Sequence, residues 1–468
     1  MTDKIISNEK NKDNRGLGHT RLQWTVVMIV SMMMFNYGMS NGWLSPMTKI
    51  LTSELSPTGS ALSSSELTWV SSITALTAMC VVTFYAYTTD KFGRKAGVLA
   101  VAIPQSLSWA MKLFATNTTL LIISRAVAGF ASAGCFIALP IYVREISQDS
   151  IRGAAVALLM LMQNLGCFFM YLIGGYLDYY IILGISLSVS LISTVLMVFA
   201  PESPAHLVKK EKFEDAAKTL ALLRGVQSDH KSIQLEINEM KNDEEYYKSL
   251  PHLTFVNIFK NKAWRRGLLR IILVNTAQSG SGIFAILTYV WVILSSTGAS
   301  VDPDLQSLVV PVLLLCGSLV SMVWVQKFGR KVILVSMHTL IAVAMTCLGT
   351  YLVLQHNGFS PPDWIPLFAI ATSVWAYAAG VLPLFYVIVS EMFHFQVRSK
   401  LMGCIVSYSW FVSSIQLLAF IPVSEMFGIY TMFFIYGFIN IVGAIAALVL
   451  LPETKGKTIE EIEKILSG

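Results

Sequence analysis

Two kinds of residue pattern in this 468-residue chain could do chemistry. The first is a set of charges at fixed spacing. Asp90-Lys91-Phe92-Gly93-Arg94-Lys95 and Gln326-Lys327-Phe328-Gly329-Arg330-Lys331 place an Arg directly after a Gly at two distant points. Glu145 stands seven residues before Arg152, Glu391 seven before Arg398, and Glu202 and Glu453 each follow a Pro. Carboxylates and guanidiniums so arranged can make and break ion pairs. One exposed pair is worth ~0–1 kcal/mol, but a network of nine such groups biases a two-state equilibrium by a few kcal/mol, enough to choose between states. The second pattern is Gln278-Ser279-Gly280-Ser281-Gly282-Ile283-Phe284, an amide and two hydroxyls in a run weakened by glycine. With an aromatic such as Trp410, these groups suit a solute that carries many hydroxyls and an apolar CH face. Bond-breaking chemistry has no support. The chain shows no Ser/His/Asp cluster, no paired catalytic acids, no metal-ligand spacing and no Gly-x4-Gly-Lys-Ser/Thr phosphate loop. No enzyme activity, cofactor or metal is expected. The six cysteines (Cys80, Cys135, Cys167, Cys316, Cys347 and Cys404) all sit in apolar runs and read as small buried hydrophobes.

The elements that position these residues follow from composition. Apolar residues make up 54% of the chain, charged ones only 13%, and mean hydropathy is +0.62. A soluble protein of this size would need more charge to cover its surface, so an all-α integral membrane protein remains. Stretches long enough to cross a bilayer and free of charge run over 22–48, 67–89, 96–111, 126–143, 153–177 and 179–201, then 271–301, 305–326, 332–362, 364–390, 401–424 and 426–452. The third extends past Lys112, which is expected to snorkel. Backbone groups in hydrocarbon must be satisfied within the segment, so these are twelve helices. They sort into an N-terminal tail at 1–21, a six-helix bundle at 22–201, a helical linker at 202–266, a second bundle at 267–452 and a tail at 453–468. If the N-terminus is cytoplasmic, 31 of the 34 Lys and Arg fall on the cytoplasmic side. That bias places both termini and the linker there and explains the net positive charge without nucleic acid. Lys49, Lys112 and Arg125 are the exceptions. The polar first 20 residues suggest no cleavable leader. Asn117-Thr118-Thr119 lies on the outer side as a candidate glycosylation acceptor.

The charged motifs recur in the same order at the ends of corresponding helices: Arg94 with Arg330, Glu145 with Glu391, and Pro201-Glu202-Ser203 with Pro452-Glu453-Thr454. Such recurrence indicates internal duplication and two pseudo-symmetric six-helix halves, the architecture of an alternating-access carrier. On D-K-F-G-R-K at 90–95, P-I-Y-V-R-E at 140–145, R-G-A at 152–154, P-E-S-P at 201–204, S-G-I at 281–283, S-E-M-F at 390–393 and P-E-T-K-G-K at 452–457, the chain resembles the sugar porter (glucose-transporter-like) family of the major facilitator superfamily. Residues 39–46, Met-Ser-Asn-Gly-Trp-Leu-Ser-Pro, are similar to the first helix of insect facilitated trehalose transporter-like proteins.

The resemblance implies facilitative transport of a hexose or a disaccharide such as trehalose across the plasma membrane, by a monomer in the lipid bilayer. It assigns Asp90, Arg94, Glu145, Arg152, Glu202, Arg330, Glu391, Arg398 and Glu453 to an inner gate that pairs across the halves when the inside is closed. It places Gln278, Ser279, Ser281, Phe284, Ser409 and Trp410 at the substrate site, with Gln163 and Asn164 as further donors and Tyr289 at an outer gate. Several family positions depart: Ser279 replaces an amide, Phe284 an Asn, Met160 a Gln, and Ala378 a polar residue. The pocket is therefore less polar than a typical hexose site. A transport-silent sensor and a carrier of a polyol or other less polar solute are the alternative readings. Proton symport needs a membrane-embedded carboxylate, and no Asp or Glu occurs between Asp13 and Glu54, so uniport is favoured. The Gln at 326 also stands where the family has an acid, which leaves the gate lopsided. Gln326→Glu is expected to shift the resting population toward the outward-facing state, read as slower thiol labelling of the inner cavity; unchanged labelling refutes it.

Overall fold

The computed structural model describes residues 19–249, 255–298, 301–393 and 395–467; most of the N-terminal tail lies outside them. Among these residues the chain is helical, and twelve spans carry the fold. The first half holds α1 (Arg21–Gly42, continued by Leu44–Leu51), α2 (Ser64–Lys91), α3 (Arg94–Leu113), α4 (Thr118–Cys135, continued by Ala138–Ile146), α5 (Asp149–Tyr176) and α6 (Tyr179–Phe199). The second holds α7 (Lys262–Ser279, continued by Ile283–Ser296), α8 (Val309–Lys327), α9 (Arg330–His356), α10 (Trp364–Met392), α11 (Phe395–Phe427) and α12 (Ile429–Leu450). All but α3 are long and apolar enough by themselves to cross a bilayer. The exception carries Arg94, Lys95, Gln105 and Lys112 within 20 residues.

The packing of one half repeats in the other. Helix α1 packs on α5 as α7 packs on α11, α2 on α4 as α8 on α10, and α3 on α6 as α9 on α12. The halves meet through α2 against α11 and, symmetrically, α5 against α8. These are the contacts of the major facilitator fold. Between apolar helices in lipid no hydrophobic gain drives association, so close backbone approach does the work. Gly38 and Gly166 are placed reciprocally: a side chain on Gly38 would collide with the Gln163 carbonyl, and one on Gly166 with the Phe35 carbonyl.

Two spans are interrupted where the sequence weakens them. Helix α7 stops at Ser279 and restarts at Ile283, with Gly282 at φ +96°, a left-handed conformation that favours glycine. Helix α10 contains a π-turn at Tyr377–Val381, immediately before Pro383. The Leu382 amide bonds back to the Tyr377 carbonyl, and the extra residue in the turn accommodates the ring and missing donor of proline.

The structure corrects several expectations. Some spans, such as Tyr179–Phe199 and Ile429–Leu450, stop short of the charge-free windows, and several run past them, because a helix continues into the interface beyond the hydrocarbon. The fourth therefore starts at Thr118, not 126, and carries Arg125 two turns into the bundle. Lys112 does not snorkel: it is wholly buried, held between aromatic rings. Only Cys135 and Cys167 are buried; Cys80, Cys316, Cys347 and Cys404 are exposed on helix surfaces, where a bilayer requires no protein cover for an apolar side chain. The linker forms helices at Pro204–Lys209, Phe213–Arg224, Lys231–Ser249 and Phe255–Lys260, with Gly225 as a left-handed cap. Their small core of Val208, Ala216, Leu220, Ala221, Ile233 and Ile237 docks on the first half. Arg224 Nη1 donates to the Ile146 carbonyl at 3.1 Å, and Gln23 Nε2 to the Leu223 carbonyl at 3.1 Å. A helix at Ile459–Ser467 packs instead on α7 of the second half, where Trp264 Nε1 donates to Glu463 at 2.7 Å. Gly166→Val should overpack the α1–α5 seam by about 1–3 kcal/mol, measured as a lower melting temperature of the detergent-purified protein; an unchanged melting temperature refutes the seam.

Candidate functional site

At the face that carries the linker, each half builds the same charged clasp. In the first, Arg94 Nε donates to both Glu145 oxygens (3.1 and 3.0 Å), and its Nη1 to the Thr89 carbonyl (2.8 Å). In the second, Arg330 Nε and Nη2 donate to Glu391 Oε1 (3.2 and 3.0 Å), and its Nη1 to the Val325 carbonyl (2.8 Å). Glu202 Oε1 accepts from the Arg94 and Lys95 amides at 2.9 and 3.0 Å, and Glu453 accepts from the Arg330 and Lys331 amides at 2.9 and 3.2 Å. Each carboxylate thereby caps the N-terminus of α3 or α9, where free amides and the helix dipole favour negative charge. Ser203 donates to Glu145, and Thr454 to Glu391. The glycine before each Arg is required because a side chain on Gly93 or Gly329 would strike the Glu202 or Glu453 carboxylate.

These pairs therefore form inside each half. Asp90 joins Arg94 at 3.2 Å and Lys209 at 3.3 Å, but is largely exposed, so both links are weak. Arg152 pairs with Asp149 at 2.6 Å and donates to the Arg144 and Ser147 carbonyls; Arg398 donates to the Ser390 carbonyl at 3.1 Å. Gln326 lies in α8, and its side chain is outside the described residues.

Bonds that do cross between the halves run from the middle of the bundle to the opposite, far face. Tyr289 donates to Ser71 Oγ at 2.5 Å while its ring stacks on Phe420 at 4.6 Å. Tyr171 donates to the Leu287 carbonyl (2.6 Å), the Trp291 amide to Ser45 Oγ (3.3 Å), and Lys49 pairs with Asp304 (3.4 Å). Nearer the middle, Asn164 Nδ2 donates to Ser318 Oγ (3.0 Å) and Ser407 to the Met79 carbonyl (2.8 Å). Asn117 caps α4, its Oδ1 accepting from the Leu120 amide at 2.8 Å.

A cavity of about 20 Å³ lies between the halves, lined by Tyr37, Asn41, Thr74, Arg125, Phe284 and Trp410 among others. It has room for about one water, not for a sugar. Trp410 packs edge-on against Phe284 (5.9 Å) and against Phe136 of the other half (6.3 Å). Three of the anticipated polar residues, Gln278, Ser279 and Ser409, join one network with Asn275 and Tyr377. Gln278 Nε2 donates to the Tyr377 hydroxyl (2.8 Å), Ser279 donates to Gln278 Oε1 (3.0 Å), and Ser279 and Ser409 both donate to Asn275 Oδ1 (3.2 and 2.9 Å). Ser281 is buried, its carbonyl accepting from Asn440. Gln163 Oε1 is buried with no partner among the described residues. Reading the sequence missed Asn275, Tyr377, Tyr37, Asn41 and Arg125. Arg125 had a usable signal, an ionisable residue inside an apolar run; here it donates to the Val70 and Ser40 carbonyls, both at 3.1 Å.

Residues 22–466 match the family described as Sugar (and other) transporter. The facilitated trehalose transporter Tret1 of Anopheles gambiae is 26% identical over 450 residues, which cover 95% of this chain and 56% of that protein. Tret1 of Bombyx mori is 25% identical over 456 residues, 95% of this chain and 88% of that one. The chain thus spans little more than half the length of the Anopheles relative. Among solved structures, the inward-open conformation of the xylose transporter XylE from E. coli superposes with a TM-score of 0.77 at 19% identity, covering 95% of this chain and 99% of that one. The POT family transporter PepTSo gives 0.65 at 13%, over 92% and 98%. At such identities the likeness is one of fold. Tyr289→Phe removes the bond to Ser71 and keeps the stack on Phe420, a loss of about 1 kcal/mol or roughly a fivefold shift in population. A cysteine at Thr74, in a background without the native cysteines, should then label about fivefold faster from the far face; an unchanged rate refutes the latch.

Proposed function

The chain belongs to the Sugar (and other) transporter family, and from that premise we propose that it is a facilitative carrier of a hexose or disaccharide, working by alternating access across the plasma membrane as a monomer. The observation that supports this reading is a hollow lined by Trp410, Phe284, Tyr37 and Asn41 between two halves whose crossing bonds cluster toward one face. The names of the insect relatives make trehalose the first substrate to test. The far face is the outer one, since Lys and Arg concentrate on the linker side. The state described is the one sealed outside by Tyr289, Tyr171 and Lys49.

In this reading the two clasps hold each half rigid while the crossing contacts exchange between faces. When the outer bonds part, the nine charges of the linker face come together and pair across the halves. The break in α7 at Gly280–Gly282 is the joint that lets Ile283–Ser296 move without unwinding Lys262–Ser279. Gln278, freed from Tyr377, offers its amide to a sugar hydroxyl, and Trp410 supplies a wall for the CH face. Phe284 narrows the hollow and favours the less polar side of a sugar.

The charge of the hollow supports uniport: its lining contains Arg125 and, among the described residues, no carboxylate to titrate as access alternates. Uptake of labelled glucose, trehalose and a polyol should be measured in oocytes. Wild type should equilibrate trehalose or glucose without concentrating it, and a protonophore should have no effect; concentrative uptake that collapses with the protonophore overturns uniport. Gln278→Ala should raise KM about tenfold, the cost of one buried amide bond. Saturable binding with no uptake would instead identify a sensor, and uptake of the polyol alone would reassign the cargo.

A further inference from the structure

Trp43 stands at the break in α1, between Gly42 and Leu44. Three buried polar groups meet around it without a partner among the described residues: its own indole Nε1, the Lys112 ammonium from the last turn of α3, and the Tyr179 hydroxyl from the first turn of α6. Lys112 Nζ lies 4.8 Å from the Trp43 ring centroid and 3.8 Å from that of Trp109, and the Tyr179 ring lies 6.4 Å from Trp43. Arg125 Cζ lies 5.8 Å from the same Trp43 ring. Two of its five N–H groups donate to neutral carbonyls, and Trp109 Nε1 donates to Asn36 Oδ1 at 2.5 Å.

The chemistry of this cluster is one-sided. An indole N–H and an ammonium only donate, and a tyrosine hydroxyl can donate as well. Two aromatic faces at these distances attract the charged form of Lys112, since a ring quadrupole gives a neutral amine little. Lys112 and Arg125 therefore approach one aromatic ring, and no carboxylate pairs with either among the described residues. The Tyr179 oxygen is the one acceptor among the three groups, so the cluster holds more donors than acceptors and no negative charge.

We propose that Lys112, Trp43 and Tyr179 form a binding site for a monovalent halide, chloride under physiological conditions. A halide accepts from all three donors and needs none in return, unlike water. Lys112 and Tyr179 lie at the far-face ends of α3 and α6, so the site belongs to that face. The site also touches the outer seal. The segment after Trp43 carries Ser45 and Lys49, which bond to Trp291 and Asp304 of the other half. Bound chloride holds that segment in its sealed position and relieves the repulsion between Lys112 and Arg125.

The test uses the full chain purified in detergent, titrated with sodium chloride or sodium bromide against sodium gluconate at constant ionic strength. Melting is followed by intrinsic fluorescence, so the result is independent of whether the protein transports sugar. Chloride and bromide should raise the melting temperature saturably by roughly 2–4 °C, and gluconate should not. Lys112→Met should abolish the dependence. Tyr179→Phe, which keeps the ring and the fold, should raise the half-saturating chloride concentration several-fold. Equal melting in chloride and gluconate overturns the proposal and leaves Lys112 as a neutral amine. Retained chloride dependence in Lys112→Met, or an unshifted half-saturation in Tyr179→Phe, overturns it as well.

Discussion

Each half depends on one carboxylate reaching back across its whole length of chain to cap the helix that begins after the second span. Glu202 does this for α3 and Glu453 for α9. The cap ties the end of the sixth span to the start of the third, and the Arg at that start is gripped by the Glu ending the fourth. With the Arg also donating to the Thr89 or Val325 carbonyl of the second span, four spans are joined by charge-assisted bonds, each worth about 1.5–3 kcal/mol against their loss. Because Arg94 and Arg330 are largely buried, water screens these bonds little. The result is two stiff blocks, and stiffness is the condition for rocking: a block that deformed would dissipate a movement at one face before it reached the other.

Between the blocks the bonds are of another kind. Tyrosine hydroxyls, a serine pair and an exposed Lys–Asp pair join α1, α2 and α5 to α7 and to the short helix at Pro303–Ser307. Each is a neutral or screened contact of modest net value, so the set can be exchanged for another without a large barrier. Strong bonds inside the halves and weak ones between them separate the parts that must not move from those that must.

The central hollow shows the same economy. Gln278, Ser279, Ser409, Asn275 and Tyr377 bond to one another, which offsets the cost of burying their amides and hydroxyls in an apolar bundle. That mutual bonding also explains how a site with fewer amides than its family norm remains polar: Asn275 and Tyr377 supply groups that the usual motif positions do not.

The sequence by itself determined the number of spans, their division into six and six, and the recurrence of the charged motifs, because hydrocarbon imposes a minimum apolar length and duplication leaves its pattern in order. It also determined that Gly280 and Gly282 would interrupt the seventh span, since glycine weakens any helix locally. It did not determine partners. Arg94 meets Glu145 of its own half, and spacing along the chain does not choose between that carboxylate and one of the other half. Nor did it place Arg125 and Lys112. A charge near the edge of an apolar run reads as interfacial, and only the packing of α1, α3, α4 and α6 around Trp43 carried both into the interior. Spacing along the chain fixes what each helix can present; the tertiary structure decided what it faces, because those contacts join residues far apart in sequence.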